Sequence, residues 1–110
     1  MPIIRKAKKK DRADVLLLAE ALATSYVVDC RAFEKAFEHA LNDPREVVFV
    51  AKQGEECIGF CLGSIHTTFY ANGDIAWLEE LYVSPEYRRS GVGKKLVSSF
   101  ENSITSHSLH

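Results

Sequence analysis

Apolar side chains recur with helical spacing in three stretches of the chain. The first runs over about residues 11–23, the second over 31–42, and the third begins near Gly91. In each stretch, hydrophobic residues fall at the positions that line one face of a helix. In the third they return at every fourth residue, at Val92, Leu96, Phe100 and Ile104. The polar tail, residues 103–110, is predicted to fray.

Four other stretches are rich in β-branched and apolar residues and are predicted to be strands. They cover residues 3–7, 47–51, 57–68 and 75–84. The second of them is continuously apolar, which is typical of a strand covered on both faces. Short connections with turn residues join the last three strands, so an antiparallel meander is predicted.

The predicted order of elements is β-α-α-β-β-β-α. A chain of 110 residues suits a single domain, 1–110. Helices on either side of a meander favour the α+β class, with helices flanking a mostly antiparallel mixed sheet. Gly59 and Gly63 interrupt the third predicted strand, which indicates a bulge or the close approach of another segment.

Composition narrows the classes of function. A net charge of −1 provides no general attraction to nucleic acid or to an anionic membrane. The basic cluster at residues 6–12 is interpreted as a solvated connection, because no aromatic platform for bases accompanies it. No apolar run approaches the roughly 18 residues of a membrane span. Three cysteines without repeated spacing predict neither a disulfide framework nor a metal site, and favour a cytoplasmic protein.

The strongest candidate for chemistry is a glycine-bearing loop that leads into the third predicted helix. Gly91 and Gly93 permit a sharp turn and let a ligand approach main-chain N–H groups. At a helix N-terminus these groups favour an anion such as a pyrophosphate. Basic side chains on both sides of the loop add positive charge, at Arg88, Arg89, Lys94 and Lys95.

The segment Arg88-Arg89-Ser90-Gly91-Val92-Gly93 meets the pattern Arg/Gln-x-x-Gly-x-Gly/Ala. With the preceding strand and turn, it resembles the acetyl-CoA signature of the GNAT family of N-acetyltransferases, and the order of elements is also similar. The resemblance implies an acyl-CoA N-acyltransferase-like fold. It implies an enzyme that uses acetyl-CoA and no metal, in which a primary amine of a small molecule or peptide attacks the thioester carbonyl directly.

The resemblance also implies which residues bind acetyl-CoA. Main-chain N–H groups of the loop would hold the pyrophosphate, with the cofactor-binding set Arg88, Arg89, Ser90, Gly91, Val92, Gly93 and Lys94. Backbone groups of Leu81, Tyr82 and Val83 would run beside the pantetheine arm like a neighbouring strand. The Val83 N–H would polarise the thioester oxygen.

Glu79 and Glu80 are the candidate catalytic residues. The segment Leu78-Glu79-Glu80 resembles the Leu-Glu-Asp segment of polyamine-acetylating members, which implies Glu79 as base and Glu80 as a contact for the amine. Neighbouring strand residues point to opposite faces, so only one of the two faces a given cleft unless a bulge intervenes. The alternative is that one or both decorate a solvated strand face.

Tyr26 and Asp29 are the candidate substrate residues. They lie in the loop between the first two helices, the region that shapes the acceptor pocket of the family. For each of them a structural or solvated role is the alternative. His66, in the third strand, is interpreted as a partly buried sheet residue rather than a catalyst.

Family members normally continue past the third helix with a fifth strand, a fourth helix and closing strands, and residues 98–110 leave no room for these. That part would supply half of the pantetheine slot and a tyrosine that protonates the leaving thiolate. The chain is therefore expected to match the N-terminal portion of the family fold. Three interpretations stay open: a truncation of a longer enzyme, a homodimer that covers the open sheet edge, or a catalytically impaired acyl-CoA-binding or dimerisation module.

Overall fold

The computed structural model describes residues 2–25, 27–69 and 73–106. Its elements are β1 (Ile3–Lys6), α1 (Arg12–Leu22), α2 (Cys30–Asn42), β2 (Glu46–Gln53), β3 (Glu56–Thr68), β4 (Gly73–Val83) and α3 (Val92–Ser106). Short 3-10 turns occupy Lys9–Asp11 and Pro85–Tyr87. The predicted order of elements is therefore confirmed. Within the described ranges, no helix is long and apolar enough to cross a membrane.

The last helix is longer than the polar sequence of its end suggests. α3 continues through Ser106, so the prediction of a frayed tail is wrong for residues 103–106. Ile104 extends the apolar stripe and is 8% exposed. The Ser103 hydroxyl donates to the Phe100 carbonyl at 2.7 Å. Burial of Ile104 and the local hydrogen bond of Ser103 therefore stabilise this last turn. Residues 107–110 of the predicted tail lie outside the described ranges.

The four strands form one sheet in the order β1-β2-β3-β4, and each pairing between them is antiparallel. This confirms the α+β class and the meander, and the described strands contain no parallel pair. β4 lies at the edge of the sheet. One row of its backbone groups therefore has no strand partner among the described residues.

One face of the sheet packs against α3. Cys61 of β3 and Leu96 of α3 are fully buried there, and Val92 and Phe100 extend the same core along the helix. Val83 of β4 belongs to this cluster as well. The stripe that the sequence placed on the third helix is thus its buried face.

The two glycines of β3 lie where other groups come close. A Cβ atom at Gly63 would be 2.0 Å from the Cε1 atom of Phe100, and one at Gly59 would be 2.9 Å from the carbonyl oxygen of Tyr82. Register shifts also occur on both sides of β3. The interpretation of these glycines as sites of close approach is confirmed.

α1 and α2 cover the opposite face of the sheet. The rings of Phe33 and Phe37 stack with centroids 5.6 Å apart on α2. The buried residues of this second core come from both helices and from β2 and β3: Val15, Leu18, Phe37, Ala40, Val48, Val50 and Phe60. The domain therefore has two cores separated by the sheet.

An ion pair between a buried carboxylate and a partly exposed guanidinium fixes the start of α1. The Asp11 carboxylate accepts hydrogen bonds from the Arg5 guanidinium at 2.8 and 3.0 Å and from the Lys8 backbone N–H at 2.7 Å. The Arg5 hydrogen bond is the largest cause that lowers the pKa of Asp11 below its ordinary value. Arg5 pairs with Val50, a residue of the second core, so the ion pair lies on the α1/α2 face.

Candidate active site

The outer edge of β4 offers backbone groups at the end of the strand. The Ser84 N–H donates to the Ile58 carbonyl at 2.8 Å across the β3–β4 pair. Hydrogen bonding alternates along an antiparallel pair, so the N–H and carbonyl of Val83 point away from β3, as do those of Leu81. The Arg88 side chain reaches this outer edge, because its Nε donates to the Val83 carbonyl at 2.8 Å.

The loop before α3 is bent by two residues with positive φ, +70° at Arg89 and +88° at Gly91. α3 begins at Val92 and includes Gly93 in its first turn. The Lys95 N–H donates to the Gly91 carbonyl at 3.0 Å, so the preceding N–H groups lie ahead of the helical ladder. Successive N–H groups in such a turn form a concave nest that binds anions. The Arg88 N–H already donates to the Pro85 carbonyl at 3.3 Å, so such a nest would use the N–H groups of residues 89–94.

Arg88 connects the loop to the strand. Besides its bond to Val83, its guanidinium lies 5.2 Å from the centroid of the Tyr82 ring, a cation–π distance. Tyr82 is partly buried against the α1/α2 core. The sequence suggested Arg88 as a donor to an anion, whereas the structure gives its Nε an intramolecular acceptor.

Among the other side chains of the loop, some pack or hydrogen-bond within the protein and others are exposed to solvent. Val92 is 1% exposed and anchors the start of α3 in the core. The Ser90 hydroxyl donates to the Tyr87 carbonyl, which closes the turn. Arg89 and Lys94 are exposed, so they present positive charge to solvent beside the nest.

β4 contains a bulge at Glu79. Glu80 pairs with Leu62 and Leu78 pairs with Gly63, so Glu79 is the extra residue opposite β3. A bulge breaks the strict alternation of side chains along a strand. The bulge therefore allows the side chains of Glu79 and Glu80 to approach the same cleft.

Glu79 contacts a histidine on the neighbouring strand. Its Oε2 atom lies 3.4 Å from Nε2 of His66, and the His66 ring lies 4.7 Å from the ring of Trp77. His66 alternates with Leu62 along β3, which places it on the α1/α2 face. Sequence reasoning missed this contact, because it depends on the register of the β3–β4 hairpin.

Glu80 has an altered acidity. Solvent still reaches its side chain, but burial of the carboxyl group raises its pKa above the ordinary value, and the negative charge of Glu79 raises it further. Both causes disfavour the ionised form. A carboxyl group shifted in this direction is better suited to exchange protons near neutral pH than an ordinary one.

A cavity of about 310 Å³ lies between α1, α2 and the sheet, with Glu80 in its lining. Asp29, one of the two predicted substrate residues, also lines it. The Asp29 Oδ1 atom caps α2 by accepting from the N–H groups of Arg31 and Ala32 at 2.9 and 3.0 Å. Asp29 therefore has a structural role at the rim of the cavity. Tyr26, the other predicted substrate residue, lies outside the described ranges.

One group of side chains in the described ranges could hold a metal ion: His39, Asp43 and Glu46. His39 Nε2 lies 3.2 Å from the Asp43 carboxylate and 2.9 Å from that of Glu46. Both contacts use the same His39 Nε2 atom, so one ring nitrogen links the two carboxylates. The group joins the end of α2 to β2 and shares no residue with the β4 edge or the loop before α3.

Comparisons with known proteins agree with this architecture. The model of the acetyltransferase (GNAT) family matches residues 15–109, and a comparison with curated proteins finds no match. Glucosamine-6-phosphate N-acetyltransferase from Arabidopsis thaliana superposes with a TM-score of 0.83 at 21% identity, over 97% of this chain and 76% of that one.

Two aminoglycoside acetyltransferases are similar in fold. AAC(6')-Iy, in complex with the bisubstrate analogue CoA-S-monomethyl-acetylneamine, gives a TM-score of 0.85 at 24% identity, over 97% of this chain and 74% of that one. AAC(6')-Ih from Acinetobacter baumannii gives 0.79 at 22% identity, over 92% and 69%. At these identities the structures show the fold alone. Together with the family match over most of the chain, they establish that this protein belongs to the GNAT acetyltransferase family.

Proposed function

We propose that the chain is an acetyl-CoA-dependent N-acetyltransferase that acts on a primary amine. One observation carries the proposal: the outward-pointing backbone of Val83 lies beside the nest of N–H groups at the start of α3, and Arg88 connects the two. A strand edge next to an anion nest suits a ligand with an extended amide-bearing arm and a pyrophosphate.

The residues that would hold acetyl-CoA follow from this arrangement. The outward backbone groups of Leu81 and Val83 would pair with the pantetheine arm, with Tyr82 between them, and the N–H groups of residues 89–94 would hold the pyrophosphate. Acetyl-CoA supplies an activated acetyl thioester. The outward N–H of Val83 would donate to the oxygen on which negative charge develops.

The chain's own acids would handle the proton of the amine. A primary ammonium must lose a proton before its nitrogen can act as a nucleophile. Glu79 would accept it, directly or through a water molecule, while Glu80 holds the amine in place. His66 would orient the Glu79 carboxylate through the 3.4 Å contact.

Thiol release from acetyl-CoA, measured over a panel of amines with mass spectrometry of the products, tests the proposal. Glu79→Gln is expected to lower kcat by about 100-fold or more, since a positioned base contributes at least that much. Glu80→Gln is expected to raise KM for the amine. Glu55→Gln, an exposed acid in the β2–β3 turn, is the matched control and should leave both constants unchanged.

Two results would count against these assignments. Absence of thiol release with every amine would contradict the proposed enzyme. Turnover that survives Glu79→Gln would remove Glu79 as the base and leave the rest of the proposal standing.

A second candidate function is a catalytically impaired acyl-CoA-binding or dimerisation module. The observation that favours it is the open edge of β4, near which Trp77 and Leu78 are 52% and 38% exposed. A second copy of the chain that paired along this edge would cover both side chains. Light scattering that shows a dimer, together with acetyl-CoA binding and no thiol release, would favour the module over the enzyme.

The extent and location of the protein are part of the proposal. We take residues 1–110 as a single domain that corresponds to the N-terminal portion of the family fold. Cys30, Cys57 and Cys61 form no disulfide, which suits a reducing compartment and hence the cytoplasm.

A further inference from the structure

The cavity between α1, α2 and the sheet is apolar on nearly all sides. The helices contribute Val15, Ala19, Ala32, Phe33, Ala36, Phe37 and Ala40, and the loop and strands contribute Val27, Val28, Val48, Phe60 and Leu62. Its volume of about 310 Å³ is at the lower end of the range of small-molecule pockets, roughly 300–1,000 Å³. Such a lining can bury a compact apolar group but offers few hydrogen bonds.

Among the described residues that line the cavity, the polar side chains are two carboxylates, Asp29 and Glu80. Asp29 uses Oδ1 to cap α2. Glu80 lies on β4, next to the bulged Glu79 and two residues before Tyr82. The Glu80 end of the cavity is thus the end nearest the strand edge proposed to bind acetyl-CoA. A cation in the cavity would be drawn toward that end.

The composition of the lining separates two classes of amine. A polyhydroxylated or polycationic amine, such as an aminoglycoside, would bring many polar groups against apolar side chains that cannot hydrogen-bond to them. An amine on an aliphatic or aromatic body would bury that body and leave one ammonium group for the carboxylate. The cavity favours the second class by both its lining and its size.

We propose that the acceptor is a small monoamine with an apolar body, which lies in the cavity between α1 and α2 while its ammonium contacts Glu80. This inference rests on the proposed acetyltransferase function and names its substrate class. In the transfer the amine nitrogen bonds to the acetyl carbon as the C–S bond of acetyl-CoA breaks. One proton of the ammonium passes to the Glu79 carboxylate, and a second N–H proton leaves with the CoA thiolate, so the products are an amide and free CoA. Selectivity would come from burial of the apolar body.

The test compares 2-phenylethylamine with glucosamine and kanamycin in the thiol-release assay, with acetyl-CoA binding measured separately by calorimetry. We expect kcat/KM for 2-phenylethylamine to exceed that for either sugar amine by about tenfold or more. Ala36→Phe, which adds a ring to the cavity wall, is expected to lower kcat/KM for 2-phenylethylamine by about tenfold or more. Ala13→Phe, on the exposed side of α1 outside the cavity, is the matched control and should leave it unchanged.

A second measurement follows binding without turnover. The methyl NMR signals of Ala32 and Ala36 should shift on titration with 2-phenylethylamine and not with glucosamine. Faster turnover of glucosamine or kanamycin, or full activity of Ala36→Phe, would overturn the substrate class while leaving the proposed acetyltransferase intact. Absence of acetyl-CoA binding and of thiol release would overturn the proposed function, and with it this inference; methyl shifts would then report an amine-binding cavity alone.

Discussion

The two faces of the sheet differ in how completely they are filled. On the α3 face, Leu96 and Cys61 are fully buried, and Gly63 lacks a side chain where the Phe100 ring approaches. On the α1/α2 face, Val50 and Phe60 are just as buried, yet a cavity of about 310 Å³ remains beside them. The filled face carries the start of α3 and the proposed N–H nest. The face with space carries the acids of β4.

This difference suits the two proposed ligands. An N–H nest must be held rigidly to bind an anion, and Val92 and Val83 anchor it in the filled core. A substrate that enters and leaves needs a volume that the fold does not fill. β4 serves both sides, because Val83 packs on the α3 core while Tyr82 packs on the α1/α2 core.

The largest expected effect comes from overfilling the α3 face. Gly63→Ala would place a Cβ atom 2.0 Å from the Phe100 ring, and we expect it to lower the free energy of unfolding by about 3 kcal/mol. Gly93→Ala is the matched control, since its Cβ would meet only Val83 Cγ2 at 3.8 Å. Urea denaturation measures both. Equal stability of the two variants would show that the α3 face is not filled as described.

The next largest effect concerns the ion pair that holds α1 in place. Asp11→Asn is expected to cost about 2 kcal/mol, below the roughly 3–5 kcal/mol of a fully buried pair because Arg5 is partly exposed. The pKa of Asp11 is lowered in the folded state, so its contribution is present above the unfolded pKa of about 3.8 and lost as pH falls through the folded value. Urea denaturation from pH 2 to 7 should therefore show a smaller difference from wild type at the acidic end.

Asp14→Asn provides the control for this ion pair. Asp14 lies 3.8 Å from Lys52 and is 46% exposed, so its loss should cost less than about 1 kcal/mol. If Asp11→Asn were no more costly than Asp14→Asn, the ion pair would not anchor α1.

A smaller effect is expected at His66. His66→Gln removes the contact with Glu79, and an exposed pair is worth about 0.2–1 kcal/mol. The corresponding loss in kcat is at most about fivefold. Steady-state kinetics should show the decrease in kcat with little change in KM for the amine, and no further loss when Glu79→Gln is already present. An additional loss in the double variant would mean that His66 acts independently of Glu79.

The smallest effect is expected from filling the α1/α2 face. Ala36→Phe adds a ring at the open cavity, and we expect the free energy of unfolding to change by no more than about 0.5 kcal/mol. Thermal denaturation of Ala36→Phe and Gly63→Ala compares the two faces directly. The methyl group added on the α3 face should destabilise the protein more than the ring added on the α1/α2 face. If Ala36→Phe strongly destabilised the protein, the cavity between α1, α2 and the sheet would not have room for an added ring.

Local patterns were sufficient to predict the elements. The stripe Val92, Leu96, Phe100 and Ile104 is the buried face of α3, and the β-branched run of β2 is buried on both faces. The glycine pair in β3 correctly indicated close approach. These signals work because burial and backbone approach act on residue types within one element.

Features that depend on contacts between elements were not predictable in this way. The contact of His66 with Glu79 needs the hairpin register, and the pairing of Arg5 with Asp11 needs the path of the chain from β1 to α1. The position of the bulge in β4 was also not predictable, because no residue type in this strand determines which residue is left unpaired. The cavity is a property of three elements together, and no single pattern describes it.

Calorimetric titration of acetyl-CoA into two glycine variants tests the central claim most directly. Gly91→Ala and Gly54→Ala both place a side chain at positive φ, +88° and +62°. At both positions, no heavy atom of the described residues lies within 4 Å of the added Cβ, apart from the adjacent residues in the chain. Only Gly91 lies in the proposed pyrophosphate nest, while Gly54 lies in the β2–β3 turn. We predict acetyl-CoA binding to wild type and Gly54→Ala with the same Kd, and binding at least about tenfold weaker to Gly91→Ala, because strain in the turn redirects its N–H groups. No heat with wild-type protein at millimolar acetyl-CoA, or equal affinity of both variants, would contradict the claim that this loop holds the cofactor.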